Sequence, residues 1–171
     1  KDQKDVDALI ATAMETGVTF FDHADIYGKG ASEEKFAAAV KNNGIAREDM
    51  IVQTKCGIVP GYYYDSSEKH ILEAVDGSLR RLGLDSVDAL LIHRPDALME
   101  PEEVAEAFDE LEKSGKVGNF GVSNHSAPQI ELLKTAVKQD IRINQMQLSI
   151  TNAAMVASGA NVNLTDRDGI N

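Results

Sequence analysis

The chain of 171 residues contains a single cysteine, Cys56, which excludes an intramolecular disulfide and suits a reducing compartment. It is also short of cations: 17 Lys and Arg stand against 28 Asp and Glu, a formal charge of −11. Such a surface repels nucleic acid and anionic membranes, so neither is expected as a partner. Any anionic ligand must then be held by a local basic or backbone-amide site. No apolar run approaches the roughly 18 residues of a membrane span, and no signal-peptide pattern opens the chain. A cytoplasmic location is the expectation. The first residue is Lys1 rather than Met, so this start is not expected to be the native one. Short-period repeats and low-complexity linkers are lacking, and a single domain over 1–171 is expected. No G-x-G-x-x-G follows a strand, which weakens a Rossmann reading.

What is present alternates between two periodicities. Val6, Leu9, Ile10 and Met14 recur at helical spacing within 5–15, and Gly17 stands where a helix would close. Residues 18–22 form a short β-branched and aromatic run, the pattern of a buried strand. A helix is expected after Ser32, with Glu33 and Glu34 complementing its positive end, and a strand over 50–54. A loop rich in Gly, Pro, Tyr and Ser covers 56–66. Residues 67–82 carry Ile71, Leu72, Val75, Leu79 and Leu82 on one stripe, closed by Gly83. Residues 87–92 are apolar on both faces, as in a parallel sheet covered by helices. Pro101 opens a helix whose stripe is Val104, Ala107, Phe108 and Leu111. A strand over 116–122, a helix over 126–138 and a strand over 141–148 follow, then loop beyond Ile150. The order αβαβαβαβαβ with short connections predicts βαβ units and a parallel sheet. Alternation alone does not separate a barrel from a doubly wound sheet.

Three apolar runs end in chemistry-bearing residues: Asp22, Lys55 and His93, with Tyr27 five residues past Asp22. Strand ends of a parallel barrel share one rim, where catalytic groups collect. A phenol is a poor acid at neutral pH, and an ammonium beside it favours the phenolate. A carboxylate keeps that ammonium charged and in place. An imidazole can donate to a carbonyl oxygen as negative charge builds there. Taken singly, each group has an ordinary structural reading. Asp22 could cap a helix or a turn, Lys55 could be a solvated charge, Tyr27 a half-buried loop aromatic, and His93 a strand terminator.

Residues 17–33 (GVTFFDHADIYGKGASE), 54–57 (TKCG), 90–96 (LLIHRPD), 114–124 (SGKVGNFGVSN) and 144–145 (NQ) resemble, in order, five motifs of the aldo-keto reductases. The histidine motif and the helix after Pro101 look closest to the bacterial oxidoreductases of that family. The resemblance implies a (β/α)₈ TIM barrel that uses NADPH to reduce aldehydes and ketones to alcohols. It implies Tyr27 as general acid, Lys55 as the cation that eases release of its proton, Asp22 as partner of Lys55, and His93 as the carbonyl orienter. Ser123, Asn124 and Gln145 would hold the nicotinamide carboxamide, and no metal is implied. Gly118 and His125 depart from the family pattern, where a basic residue and an aromatic are usual.

A closed barrel takes about 250 residues, and only about five strands are legible here, matching strands 2 to 6 of the family. The chain is therefore expected to be a piece of a longer barrel, or to be completed by a disordered remainder or another copy. Its open edges invite self-association. Two other readings stand beside the reductase. One is a metal-dependent barrel hydrolase built on His23, Asp25, Lys55 and His93. The other is a regulatory barrel that senses nucleotide without turnover. Among smaller features, Cys56 reads as a buried apolar residue or a redox-sensitive thiol. Tyr62, Tyr63 and Tyr64 read as pocket wall or exposed loop.

Overall fold

The computed structural model describes residues 2–151 and 153; the loop expected beyond Ile150 lies, past Thr151, almost wholly outside them. Helix α1 (Gln3–Glu15) leads into strand β1 (Phe20–Asp22), a 3-10 turn (Tyr27–Gly30) and helix α2 (Ala31–Asn43). Strand β2 (Ile51–Cys56) is followed by a small hairpin, β3 (Ile58–Val59) and β4 (Tyr63–Tyr64), and by helix α3 (Glu68–Leu82). Strand β5 (Ala89–Ile92), helix α4 (Pro101–Lys113), strand β6 (Phe120–Ser123), helix α5 (Ala127–Leu133) and strand β7 (Ile141–Gln145) complete the order.

The five long strands form one sheet in the order β1-β2-β5-β6-β7, every pair parallel. Leaving the hairpin aside, neighbours in space are neighbours in sequence. A doubly wound sheet would reverse its order at a switch point; this one never does, and the topology decides for the barrel arrangement. The helices pack in sequence as well, α1 on α2, α2 on α3 and α3 on α4.

Period-two alternation then sorts the strand residues. Phe21, Val52, Cys56, Leu90, Ile92, Phe120 and Val122 enter a core shared with Ile71, Val75, Leu79, Val104, Phe108 and Leu111 of the helices. Phe108 stacks on Phe120 with ring centroids 4.3 Å apart. Each such aliphatic or aromatic side chain contributes about 1.5–3 kcal/mol on burial. The alternate residues, among them Asp22, Gln53, Lys55 and Gln145, are left for the other face. On that face Gly121 makes room for its neighbours. A Cβ there would lie 2.6 Å from the Ile143 carbonyl oxygen and 2.7 Å from Leu91 Cδ2.

Several boundaries differ from the sequence reading. The helix expected to reach 138 stops at Leu133, where Thr135 turns back and donates through both its hydroxyl (2.7 Å) and its amide (3.1 Å) to the Leu132 carbonyl. That local bonding tightens the last turn. The strands expected over 87–92 and 116–122 are shorter, because Val87 and Val117 meet only in an isolated bridge. The loop over 56–66 contains the β3–β4 hairpin, and Tyr62, Tyr63 and Tyr64 are all exposed on it.

Candidate active site

Parallel strands in register bring their carboxyl ends to one level. Asp22 pairs with Gln53, Lys55 with Leu91, Ile92 with Val122, and Ser123 with Gln145. Asp22 ends β1, Lys55 sits one residue short of the end of β2, His93 follows β5, Ser123 ends β6 and Gln145 ends β7. Tyr27 opens the 3-10 turn that crosses above β2, where the Asp25 amide donates to the Lys55 carbonyl at 3.1 Å.

Lys55 is at the centre, its side chain 2% exposed. Its ammonium donates to Asp22 Oδ1 at 2.7 Å, to the His23 carbonyl at 3.0 Å and to the Tyr27 hydroxyl at 3.3 Å. A buried ammonium must spend its protons on acceptors, and here three protons meet three oxygens. The same ammonium lies 5.0 Å from the centroid of the Tyr27 ring. His93 approaches Tyr27 edge-on, with ring centroids 5.8 Å apart at 81°. The four residues singled out in the sequence are therefore brought together.

Their electrostatics differ. Burial pushes the Asp22 carboxyl upward, but hydrogen bonds from Gln145, Lys55 and Gln53 outweigh it and hold the group below its usual value. Burial, with the Lys55 and Arg94 cations nearby, pushes His93 down to about 4. Its imidazole is thus neutral at pH 7, and its Nδ1 has no partner among the described residues. That nitrogen is itself buried, so it is not the atom a ligand on the rim would meet.

Beside this group, Ser123, Asn124 and Gln145 form a second one. Asn124 adopts a left-handed φ of 57°. Its amide side chain donates to Ser123 Oγ at 2.7 Å, its backbone N–H to the Gln145 carbonyl at 3.0 Å, and Ser123 Oγ to the same carbonyl at 3.1 Å. Gln145 Nε2 reaches Asp22 Oδ2 at 2.8 Å. That bond ties the first strand of the sheet to the last, so the sheet is curved enough for its two outer strands to meet at the rim. Two primary amides and a hydroxyl offer the donors and acceptors that complement a carboxamide.

Among the described residues these groups lie on an open inner face rather than in an enclosed cavity. Tyr27 is 38% exposed. Five strands curve, but they do not close a ring.

Two groups escaped the sequence reading. Gln53 Nε2 donates to Asp22 Oδ1 at 2.7 Å. Its position two residues before Lys55 on one strand was the available signal, since both must share a face. Glu33 does lie in the first turn of α2, as expected, but it is also fully buried. It accepts from Thr54 Oγ1 at 2.8 Å and from Arg81 Nε at 2.7 Å. No spacing in the sequence links residues 33, 54 and 81.

The hydrolase constellation is not assembled. His23 packs on the Phe36 ring, with centroids 4.5 Å apart, on the helix side of the sheet. Among the described residues no group of three or more His, Cys, Asp and Glu side chains is placed to hold a metal ion. Cys56 is buried, and burial, with Asp25 nearby, pushes its thiol up, away from the thiolate that redox chemistry needs. His125 is buried too, its Nδ1 3.0 Å from the Ser123 carbonyl oxygen. No helix among the described residues is long and apolar enough to cross a membrane.

Comparison with known proteins agrees with this geometry. Residues 1–161 match the model of the Aldo/keto reductase family. The chain is 44% identical over 151 residues to the uncharacterized oxidoreductase YcsN of Bacillus subtilis, covering 83% of this chain and 50% of that protein. It is 38% identical over 154 residues to a 6-dehydroglucose reductase of Agrobacterium fabrum, covering 85% of this chain and 52% of that protein. The thermostable aldo-keto reductase Tm1743, solved with the inhibitor epalrestat, superposes with a TM-score of 0.78 at 29% identity, over 88% of this chain and 52% of that one. The chain spans about half the length of the curated relatives it matches, and its five parallel strands fit part of the (β/α)₈ barrel of such enzymes. Motifs, strand order and family model coincide over the same residues, and the chain belongs to the aldo/keto reductase family.

Proposed function

We propose that this chain carries the proton-delivering rim of an NADP(H)-dependent oxidoreductase that reduces aldehydes or ketones to alcohols. The observation that carries the reading is the Lys55 ammonium, bonded at once to the Asp22 carboxylate and the Tyr27 hydroxyl. Asp22 neutralises and anchors the cation, and Gln53 and Gln145 anchor Asp22 in turn. Tyr27, held against that cation at 3.3 Å, would pass its proton to a carbonyl oxygen. His93, neutral at pH 7, would orient that oxygen toward the phenol. Ser123, Asn124 and Gln145 would hold the carboxamide edge of the nicotinamide and so fix which face it presents. When bound, the reduced nicotinamide supplies hydride to the carbonyl carbon.

The named substrate of the Agrobacterium relative is an oxidised sugar. That places small polar carbonyl compounds first among candidates for assay.

The test is Tyr27→Phe in the full-length protein. Turnover of an aldehyde panel is expected to fall by about 10²–10⁴-fold, the range for loss of a general acid, while NADPH fluorescence titration keeps its midpoint. Wild-type turnover would remove Tyr27 as the acid. Nucleotide binding by the unmutated protein, with no turnover on any aldehyde or ketone, would favour the sensing barrel instead.

A further inference from the structure

Behind the rim, on the helix side of the sheet, lies a buried polar cluster to which the proposed reaction assigns nothing. Glu33 is completely buried. One carboxylate oxygen takes the Thr54 hydroxyl, from the residue before Lys55 on β2, and the other takes Arg81 Nε, from the last turn of α3. Arg81 Nη2 also reaches Ser78 Oγ at 3.2 Å. One carboxylate thus pins three elements together: β2, α2 and α3.

The fourth element touched is the turn that carries Tyr27. Gly28, Lys29 and Gly30 all have positive φ, at 59°, 58° and 91°. Three consecutive left-handed residues are costly where one is not glycine. Such a turn persists only where its surroundings hold it. The holder is visible. A Cβ on Gly30 would lie 2.7 Å from Arg81 Cδ and 2.9 Å from Arg81 Nε, so the arginine stem lies against the bare backbone of the turn. Gly77 gives similar room, with its notional Cβ 3.0 Å from Arg81 Nη1. The salt bridge to Glu33 at 2.7 Å fixes where that stem runs. Asp25, inside the same loop, feels both charges. Burial pushes it up to about 6, with Glu33 adding to that and Arg81 opposing it.

We infer that Glu33, Arg81 and Thr54 are positioning residues for Tyr27, holding its left-handed turn against β2 so that the phenol stays within reach of Lys55. The inference rests on the reductase reading above. It concerns geometry alone, because none of the three side chains reaches the reacting groups. The 3.3 Å separation between Lys55 Nζ and the Tyr27 oxygen lies at the loose end of hydrogen bonding. A small displacement of the turn therefore ends the contact.

Removing Glu33 outright leaves a buried cation and risks the fold, so the informative variants are gentler. Arg81→Lys keeps the charge and loses the planar fork. Thr54→Val removes a single hydroxyl. Both are measured in the full-length protein, with rates expressed per NADPH site counted by fluorescence titration, which discounts any misfolded fraction. The expected result is a fall in kcat of about ten-fold or more, with KM for the carbonyl and the NADPH midpoint within two-fold of wild type. The deciding measurement places Arg81→Lys in the Tyr27→Phe background. A residue acting through Tyr27 costs nothing further there, whereas a general structural defect lowers the residual rate again by the same factor. Wild-type kcat in both single variants, or additive losses in the double variant, overturns the inference. If Tyr27→Phe is inactive while Arg81→Lys and Thr54→Val are normal, only the positioning role falls. If Tyr27→Phe turns over normally, the reductase reading falls and takes this role with it.

Discussion

Lys55 has three protons to donate, and Asp22, His23 and Tyr27 accept all three. Its ammonium therefore has no proton left for a substrate oxygen, which in the proposed reaction leaves delivery to the phenol. Asp22→Asn tests how strongly the cation depends on its carboxylate. Leaving that buried ammonium with neutral acceptors is expected to cost about 3–5 kcal/mol in urea unfolding at pH 7; a change below 1 kcal/mol would show that the pair is not needed for stability. Two titrations bracket neutrality. His93 is pushed down to about 4 from 6.5, so its stabilising contribution is complete above pH 6.5 and is lost as pH falls toward 4. The NMR titration of its ring is expected to centre near pH 4, and a midpoint near 6.5 would contradict the buried, cation-flanked environment. Asp25 runs the other way. Raised to about 6 from 3.8, it contributes stability at low pH that is lost as pH climbs through 6. Asp25→Asn is accordingly expected to raise Tm at pH 8 and leave it nearly unchanged at pH 3.5. A variant less stable than the parent at pH 8 would oppose this.

At the scale of elements, the approach of β6 to its neighbours is set by the absence of one methyl group. A side chain at Gly121 meets the Ile143 backbone oxygen at 2.6 Å, and backbone cannot swing aside as a side-chain tip can. Gly121→Ala is expected to destabilise by about 3 kcal/mol or more, at the upper end for overpacking. It should also loosen β7, seen as faster amide exchange at Asn144 and Gln145, while exchange in β1 is unaltered. Helices and strands were legible from the sequence because their periods were clean. The stripe of Ile71, Val75, Leu79 and Leu82 on α3 and the apolar run Leu90-Leu91-Ile92 of β5 are both buried as expected. Their ends were less legible, because Thr135 ends α5 through a bond that competes with the helix and no period reveals it. Asp22, Lys55 and His93 were legible because each stands at or near the end of an apolar run, and Tyr27 because it follows Asp22 closely in the loop. Gln53 was missed although its parity with Lys55 placed it on the same face. Glu33 and Arg81 were missed because a buried pair joining two helices leaves no mark in either one.

For the whole molecule, what matters is the pair of edges. Among the described residues β1 pairs only with β2, and β7 only with β6. Phe20 and Ile51, on the inner face near that edge, are 47% and 45% exposed. Unpaired parallel edges beside exposed apolar groups favour association. The 171-residue chain made alone is expected to show a mass above that of a monomer, rising with concentration, by light scattering. A single monomeric species at millimolar concentration would show that the edges are covered. The strand order has a further consequence. Because neighbours on the rim are neighbours in the chain, the roles proposed above would be written out consecutively: the Tyr27 acid and its supports from β1, the turn after it, β2 and the end of β5, then the nicotinamide contacts from β6 and β7. On that proposal, a cut in the segment joining His93 to Pro101 would part the acid from the clasp, and two such pieces would be expected to be inert until they found each other.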